Sequence, residues 1–277
     1  MITSIRTIFK SQKVISICST ILGILFIIAI LAPWITPNDP IAVNLAYKLQ
    51  PPSWDFPLGT DHLGRCNLSR ILYGARISLG FAILIFISSL AIGLIVGTFA
   101  GYKGGWVDNT LMRFCDGIMA FPSLILVLGL VGIFGPGLSQ VILALMLVQW
   151  VYYARMFRGM VLSLKEQNFI SAAKISGSSQ WKIIKNHIIP NVLPPLVVMG
   201  TLEMGWAIMD ISAMSFLGLG VQSPTPEWGA MIHEGKSYIR TNPELMLYPG
   251  LSIMLVIVTF NLLGEALSER YGVKRRF

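Results

Sequence analysis

Charge is what this sequence has least of. Only 12% of its 277 residues are Asp, Glu, Lys or Arg, about half the share found in an average soluble domain. Hydrophobic residues make up 54%, and the mean hydropathy is +0.69. That deficit excludes a water-soluble globular protein and leaves an integral membrane protein. Cysteine is scarce as well. Cys18, Cys66 and Cys115 lie far apart, without metal-ligand spacing, and fall in a span, an outer loop and an inner loop of the topology below. Neither a disulfide framework nor a zinc site is implied. Histidine occurs three times. His233 beside Glu234 near the outer mouth is a weak metal signal, and both are expected to be solvated loop residues. A phosphate-binding loop is missing: Gly235-Lys236-Ser237 has the ending of one, but the glycine required five residues before Gly235 is Ala230. The net charge of +8 is spread over separate loops instead of one stripe, which argues against nucleic acid. No 20–50-residue repeat, linker or low-complexity segment occurs.

What is present is a series of apolar runs. Six reach membrane length, at about 14–34, 77–100, 118–134, 138–157, 191–217 and 247–267. The third is interrupted by Pro122 and glycines, which membrane helices tolerate when neighbours satisfy the freed backbone groups. Arg6, Lys10 and Lys13 precede the first run as in a signal peptide. The run is long enough to span and no small-residue cleavage site follows, so it reads as a retained helix. With the N-terminus inside, the inner segments 1–13, 101–117, 158–190 and 268–277 carry fifteen Lys and Arg, counting Arg155 with the third. The outer segments 35–76 and 218–246 carry six, balanced by six acids. Both termini are therefore expected in the cytoplasm. The expected fold is an all-α integral membrane protein of six transmembrane helices. Residues 1–76 form the first helix and an outer loop, and residues 77–277 form a five-helix core containing the cytoplasmic loop 158–190.

Two acids fall inside the fifth run. Glu203 and Asp210 are seven residues apart, close to two helical turns, and share one side. A carboxylate facing lipid costs several kcal/mol, so both are expected to face a cavity, a partner helix or each other. Acids on one face of a pathway favour a cationic passenger; the alternative is hydrogen bonding at a helix–helix interface. Trp206 lies on an adjoining face, where it reads as packing.

The most patterned polar stretch is 168–195. Phe169, Ala172, Ala173 and Ser176 fall at helical spacing, Gly177 suits the left-handed residue that closes a helix, and Ser178 or Ser179 can cap the next. That second helix places Trp181, Ile184 and Ile188 on one face and is expected to stop at Pro190. A small-residue face followed by an aromatic ridge reads as a plug for a groove on another protein.

This stretch resembles the "EAA" coupling loop of permease subunits of binding-protein-dependent ABC importers. Ala172, Ala173, Gly177 and Pro190 match at full spacing, while Ser171 replaces the Glu, His187 the Ile and Ile189 the Leu. The outer segment Leu58-Gly59-Thr60-Asp61-His62-Leu63-Gly64-Arg65, with Gly74-Ala75-Arg76-Ile77-Ser78-Leu79, resembles the hallmark of the dipeptide/oligopeptide/nickel branch. Cys66 stands where that branch has Asp. Gly59 and Gly64 suit tight turns, and Asp61 and Arg65, four apart, can pair if the segment is helical; a structural cap is favoured over substrate contact. Ser215–Gly220 and Pro224–Gly229 resemble the same branch.

The resemblance implies a type I ABC importer permease in a bacterial-type cell membrane. It implies a heterodimer with a second homologous permease, two ABC ATPase subunits, an external solute-binding protein and surrounding lipid. The coupling loop, through Phe169, Ala172, Ala173, Gly177, Trp181 and Pro190, would sit in an ATPase groove. No catalytic or metal-binding residue is assigned and no cofactor is expected on this chain, ATP and Mg2+ being used by the partner ATPases. Glu203 and Asp210 are the candidate pathway residues and favour nickel or a nickel chelate, with di- or oligopeptides as the alternative passenger. A secondary transporter would need inverted repeats, and a membrane enzyme a convergent reactive cluster; neither is visible.

Overall fold

The chain is all-helical in a computed structural model that describes residues 2–270, with side chains from Ser11 onward. The basic cluster Lys274, Arg275 and Arg276 and the side chains of Arg6 and Lys10, which entered the charge count, lie outside the described residues. Among the described residues ten α-helices follow one another: α1 Ile2–Ile35, α2 Asn67–Lys103, α3 Gly105–Met119, α4 Ser123–Phe134, α5 Leu138–Lys165, α6 Asn168–Ile175, α7 Gln180–Ile183, α8 Ile189–Phe216, α9 Trp228–Gly235 and α10 Glu244–Arg270. Among the described residues the only strand-like feature is an isolated bridge between Thr60 and Cys66. Among the described residues, five helices are long and apolar enough to cross a membrane. At 37 residues, α2 is about 55 Å long, well beyond the ~30 Å hydrocarbon core, so part of it must extend past such a core.

The third expected span differs. Residues 101–117 were expected as a loop and 118–134 as one helix. Instead α3 ends at Met119, α4 begins at Ser123, and the two meet at 85°. Pro122 is the cause: it has no N–H to give and disfavours the helical conformation at the residue before it. With 12 residues, α4 is about 18 Å long and too short to cross alone. The count reaches six only if the bent pair serves as one span.

The chain divides into two compact units that do not follow chain order. One comprises the described residues of Met1–Leu84, Val131–Ile142 and Thr201–Phe277; the other is Ile85–Leu130 with Leu143–Gly200. In the first unit α1 packs along α10, and Ser11 Oγ donates to the carbonyl of Ala266 at 2.9 Å. In the second, the part of α2 beyond Leu84 lies against α5 around a core of Tyr102, Tyr153, Phe157 and Val161, continued by Ile170, Ile183 and Ile188 of the loop. Gly93, Gly97 and Gly101 face α5 at four-residue intervals, and a Cβ on Gly97 would stand 2.2 Å from the carbonyl oxygen of Ala154. Small residues at this spacing let two helix backbones approach closely. The pattern was readable in the sequence but was not singled out there.

Candidate functional site

In the first unit, the segment before α2 is a set of turns, so the Asp61–Arg65 pair forms without the helix expected for it. Asp61 Oδ1 accepts from the backbone N–H groups of Leu63 (2.8 Å) and Arg65 (2.9 Å), a side-chain-closed turn of the kind Asp favours. Its Oδ2 takes Arg65 Nε at 2.7 Å and also pairs with Arg70 Nη1. Gly64 makes this turn possible: its φ is +77°, and a Cβ there would lie 1.8 Å from the carbonyl oxygen of Asn44. Glu234 of α9, 169 positions along the chain from Arg65, completes the network by accepting from Arg65 Nη2 (2.7 Å) and Arg70 Nη1 (2.8 Å). Arg65 and Arg70 are each 1% exposed and Asp61 3%. Burial alone would raise the Asp61 pKa, but the guanidiniums of Arg70 and Arg65 and the two backbone N–H groups overcome it and hold the carboxyl below its ordinary range.

Asp61, His62 and Glu234 offer ligand atoms within 4.8 Å of one another. Both carboxylates are already engaged by two buried guanidiniums, so a cation would have to displace them. The arrangement is an ion-pair lock. The expectation that His233 and Glu234 are solvated needs correction. Both sit on α9 and are half-buried; Glu234 is in the lock, and His233 Nδ1 lies 2.6 Å from the carbonyl oxygen of Phe216.

The Pro224–Gly229 motif clamps α9. Glu227 is fully buried; its carboxylate accepts from the backbone N–H of Ala230 (2.8 Å), capping α9, and from Ser78 Oγ (3.1 Å). Burial raises its pKa against those hydrogen bonds. Trp228 donates from Nε1 to the carbonyl of Ile71 at 3.1 Å and lies over Gly74, where a Cβ would sit 2.9 Å from its ring. These contacts assign the Pro-Glu-Trp-Gly string to positioning.

In the second unit, the loop after α5 has the expected local form. Gly177 takes φ +76°, Ser178 N–H bonds back to the carbonyl of Ala173 and closes α6, and Ser179 Oγ accepts from the N–H of Lys182. Two expectations fail for one reason. Residues Ile184–Ile188 form a π turn, with the N–H of Ile189 bonded to the carbonyl of Ile184. The wider turn accommodates Pro190, whose ring would clash with the i−4 carbonyl in a regular helix, so the helix runs on through Pro190 to Phe216 instead of stopping. It also brings Ile183 and Ile188, five apart, to the same buried side (1% and 0% exposed). Trp181 is thereby turned outward at 79%, away from the face shared with Ile188 that regular spacing predicts. Ile175, at 87%, Phe169, at 41%, and Ala172 are exposed beside it in sequence; Ile175 was not among the residues expected to matter.

Glu203 and Asp210 are both half-buried on α8, and each interacts with other groups of the chain. They border the buried set Met204, Ala207, Ile208 and Ile211 on one side and the exposed Trp206 and Met209 on the other. Trp206, expected to pack, is 57% exposed.

Residues 93–273 match the family described as the binding-protein-dependent transport system inner membrane component. Residues 3–52 match the N-terminal TM domain of oligopeptide transport permease C. The chain is 40% identical over 260 residues to the nickel transport system permease protein NikC of Escherichia coli (strain K12), covering 94% of each. It is 39% identical over 267 residues to the dipeptide transport system permease protein DppC of Alkalihalophilus pseudofirmus, covering 96% of this chain and 88% of that one. Among solved structures, a chain of the inward-facing MetNI methionine ABC transporter superposes with a TM-score of 0.56 at 20% identity, over 72% of this chain and 94% of that chain. At that identity the likeness concerns the fold alone.

Proposed function

The chain belongs to the binding-protein-dependent transport system inner membrane components, as an ABC importer permease of the nickel/dipeptide branch, and from that membership we propose how its parts divide the work. Both termini and the 158–190 loop lie in the cytoplasm. The chain pairs with a second, related permease, two ATPase subunits and an external solute-binding protein. The passenger moves between the two permeases, and ATP with Mg2+ is used by the partners, this chain binding no cofactor of its own.

The observation that carries this reading is the exposure of Ile175 and Trp181 on either side of a turn fixed by Gly177 and Ser179, above a buried isoleucine pair, Ile183 and Ile188. Large apolar side chains held out on a rigid support form the centre of protein interfaces. Here they would fill a groove on an ATPase subunit and pass its closure to α5 and α8. Alternating access then needs only two packings close in energy, biased by the partner. Trp181→Ala is expected to weaken co-purification of the ATPase subunit from membranes about tenfold or more, with the level of this chain unchanged. Full retention of the ATPase would remove the loop from the interface.

Glu203 and Asp210 are proposed to line the route, which favours nickel or a nickel chelate. The relatives are divided at 40% and 39% identity between nickel and dipeptide permeases, so the acids carry this preference. Radiolabelled nickel uptake is expected to vanish on deletion of the gene. It is expected to fall about tenfold or more with Glu203→Gln and Asp210→Asn combined, one charge in a pathway being worth several kcal/mol, at equal membrane level. Nickel uptake untouched by deletion, with dipeptide uptake lost, would transfer the function to peptides, whose amino terminus the same acids would attract.

A further inference from the structure

The second unit holds an open cavity of about 460 Å3 that none of the transport steps above uses, lined by Asn109, Met112, Arg113, Asp116, Arg155 and Arg158. Its polar wall is one stripe of α3, since Asn109, Arg113 and Asp116 follow at helical spacing. The facing wall is the end of α5. Arg158 forms a two-pronged pair with Asp108, at 2.5 and 2.7 Å, and Arg155 pairs with Asp116. Arg113 is exposed and has no ion-pair or hydrogen-bond partner among the described residues. Three guanidiniums thus meet two carboxylates, leaving one positive charge and the full donor fork of Arg113 directed at no protein acceptor.

The depth of the cavity decides what that surplus is for. From Leu138 to Ala154 α5 carries no charged residue; Arg155 is the first, 17 residues on, about 26 Å along the helix. That distance is close to the ~30 Å thickness of the hydrocarbon core, so the guanidiniums lie at the headgroup level. Below them, Trp150 of α5 stacks on Phe114 of α3, with centroids 6.3 Å apart and planes at 23°. Phe114 is 61% exposed, and Trp106, eight residues earlier on α3, is 79% exposed. Exposed aromatics beside arginines at a span end mark a membrane–water interface, and a basic pocket between helices at that level suits an acidic headgroup.

We propose that this α3–α5 cavity binds the phosphate of an acidic phospholipid, with Arg113 as the free fork and Arg155 and Arg158 as its charged backing. A phosphodiester carries one negative charge, equal to the surplus, and arginine offers it two parallel N–H donors. The volume is within the ~300–1,000 Å3 of small-ligand sites.

The test is native mass spectrometry of the full-length chain from micelles holding equal phosphatidylglycerol and phosphatidylcholine. Phosphatidylglycerol is expected to be retained preferentially, Arg113→Ala to lower its retention about fivefold, and Arg113→Lys to recover part. Because Arg113 is exposed and unpaired, neither variant disturbs packing, and a thermal midpoint equal to the parent's verifies it. Equal retention of both lipids, or retention indifferent to Arg113→Ala, would overturn the proposal. So would inorganic phosphate held in place of lipid, which would assign the cavity to a soluble anion. Repeating the measurement on the transporter assembled with its partner subunits closes the last alternative: phosphatidylglycerol lost on assembly would give the cavity to an acidic side chain of a partner.

Discussion

Asp61→Ala is expected to destabilise the folded chain by about 3–5 kcal/mol, the cost of removing one partner from a buried ion-pair network. The effect is large because two guanidiniums lose their counter-charge together. Arg65 and Arg70 would be left with Glu234 as their one carboxylate among the described residues, and Nε and Nη2 of Arg70 already lie buried without a protein partner. The same substitution removes the acceptor that closes the 61–65 turn. Asp61→Asn separates the two losses, since its amide oxygen can still accept from Leu63 and Arg65 N–H while carrying no charge, and it should fall between the parent and Asp61→Ala. Thermal unfolding of the detergent-purified chain measures both; an Asp61→Ala protein that unfolds at the parent midpoint would mean the lock holds nothing together. The pH dependence carries a definite sign. Although burial opposes it, Arg70 and Arg65 keep the Asp61 carboxyl below its usual value, so the folded state favours the ionised form. Its contribution is complete above the ordinary carboxylate value of about 3.9 and is lost as pH falls through the lower folded value. Glu227 acts oppositely: burial raises its value, so its contribution is greatest at low pH and is lost as pH rises through the raised value. The Asp61→Ala chain should therefore show a flattened acid limb below about pH 4.

Gly97→Val should be the most damaging single change among the membrane helices. A Cβ at Gly97 would meet the Ala154 carbonyl oxygen at 2.2 Å and Phe157 Cβ at 2.8 Å, and one at Gly93 would meet Tyr153 Cβ at 2.4 Å. Backbone cannot swing aside as a long side chain can, so α2 and α5 must separate along the core of Tyr153, Phe157 and Val161. Overpacking typically costs about 1–3 kcal/mol; Gly97→Ala should lie in that range, and Gly97→Val beyond it, with the chain failing to accumulate in membranes. Gly80 lies on the same helix with nothing within 4 Å of its would-be Cβ, and Gly80→Ala is expected to leave level and midpoint unchanged. A Gly97→Val chain as abundant and stable as Gly80→Ala would contradict the close crossing.

What the sequence disclosed depended on the range of each interaction. Gly177, Ser179 and the apolar spans were legible because a left-handed φ, a cap and a hydropathy run are set by residues within a few positions. The Asp61–Arg65 pair was half legible: the spacing of four was right, but a side-chain-closed turn achieved it in place of a helix. Glu234 was not legible as their partner, since nothing local distinguishes an acid 169 positions away. The 85° break at Pro122 was hidden by the apolar run around it. The helix before it read as a loop because Asp108, Arg113 and Asp116 are polar; two of those charges are answered by Arg158 and Arg155 of α5, a tertiary fact. Pro190 was read as a stop because local rules allow no π turn ahead of it.

That turn fixes how the loop is clocked on its span. One residue of an α-helix advances the chain by about 100°, so the extra residue held in Ile184–Ile188 sets everything before it roughly a quarter-turn away from where an unbroken helix would carry it. Removing a single residue there, such as Asn186, would leave Gly177, the Ser179 cap and both flanking helices chemically intact. It would nevertheless turn Ile175 and Trp181 to a different bearing around the axis of α8. The direction in which this chain presents its apolar loop is thus indexed by one amino acid in the count between Ile183 and Ile188.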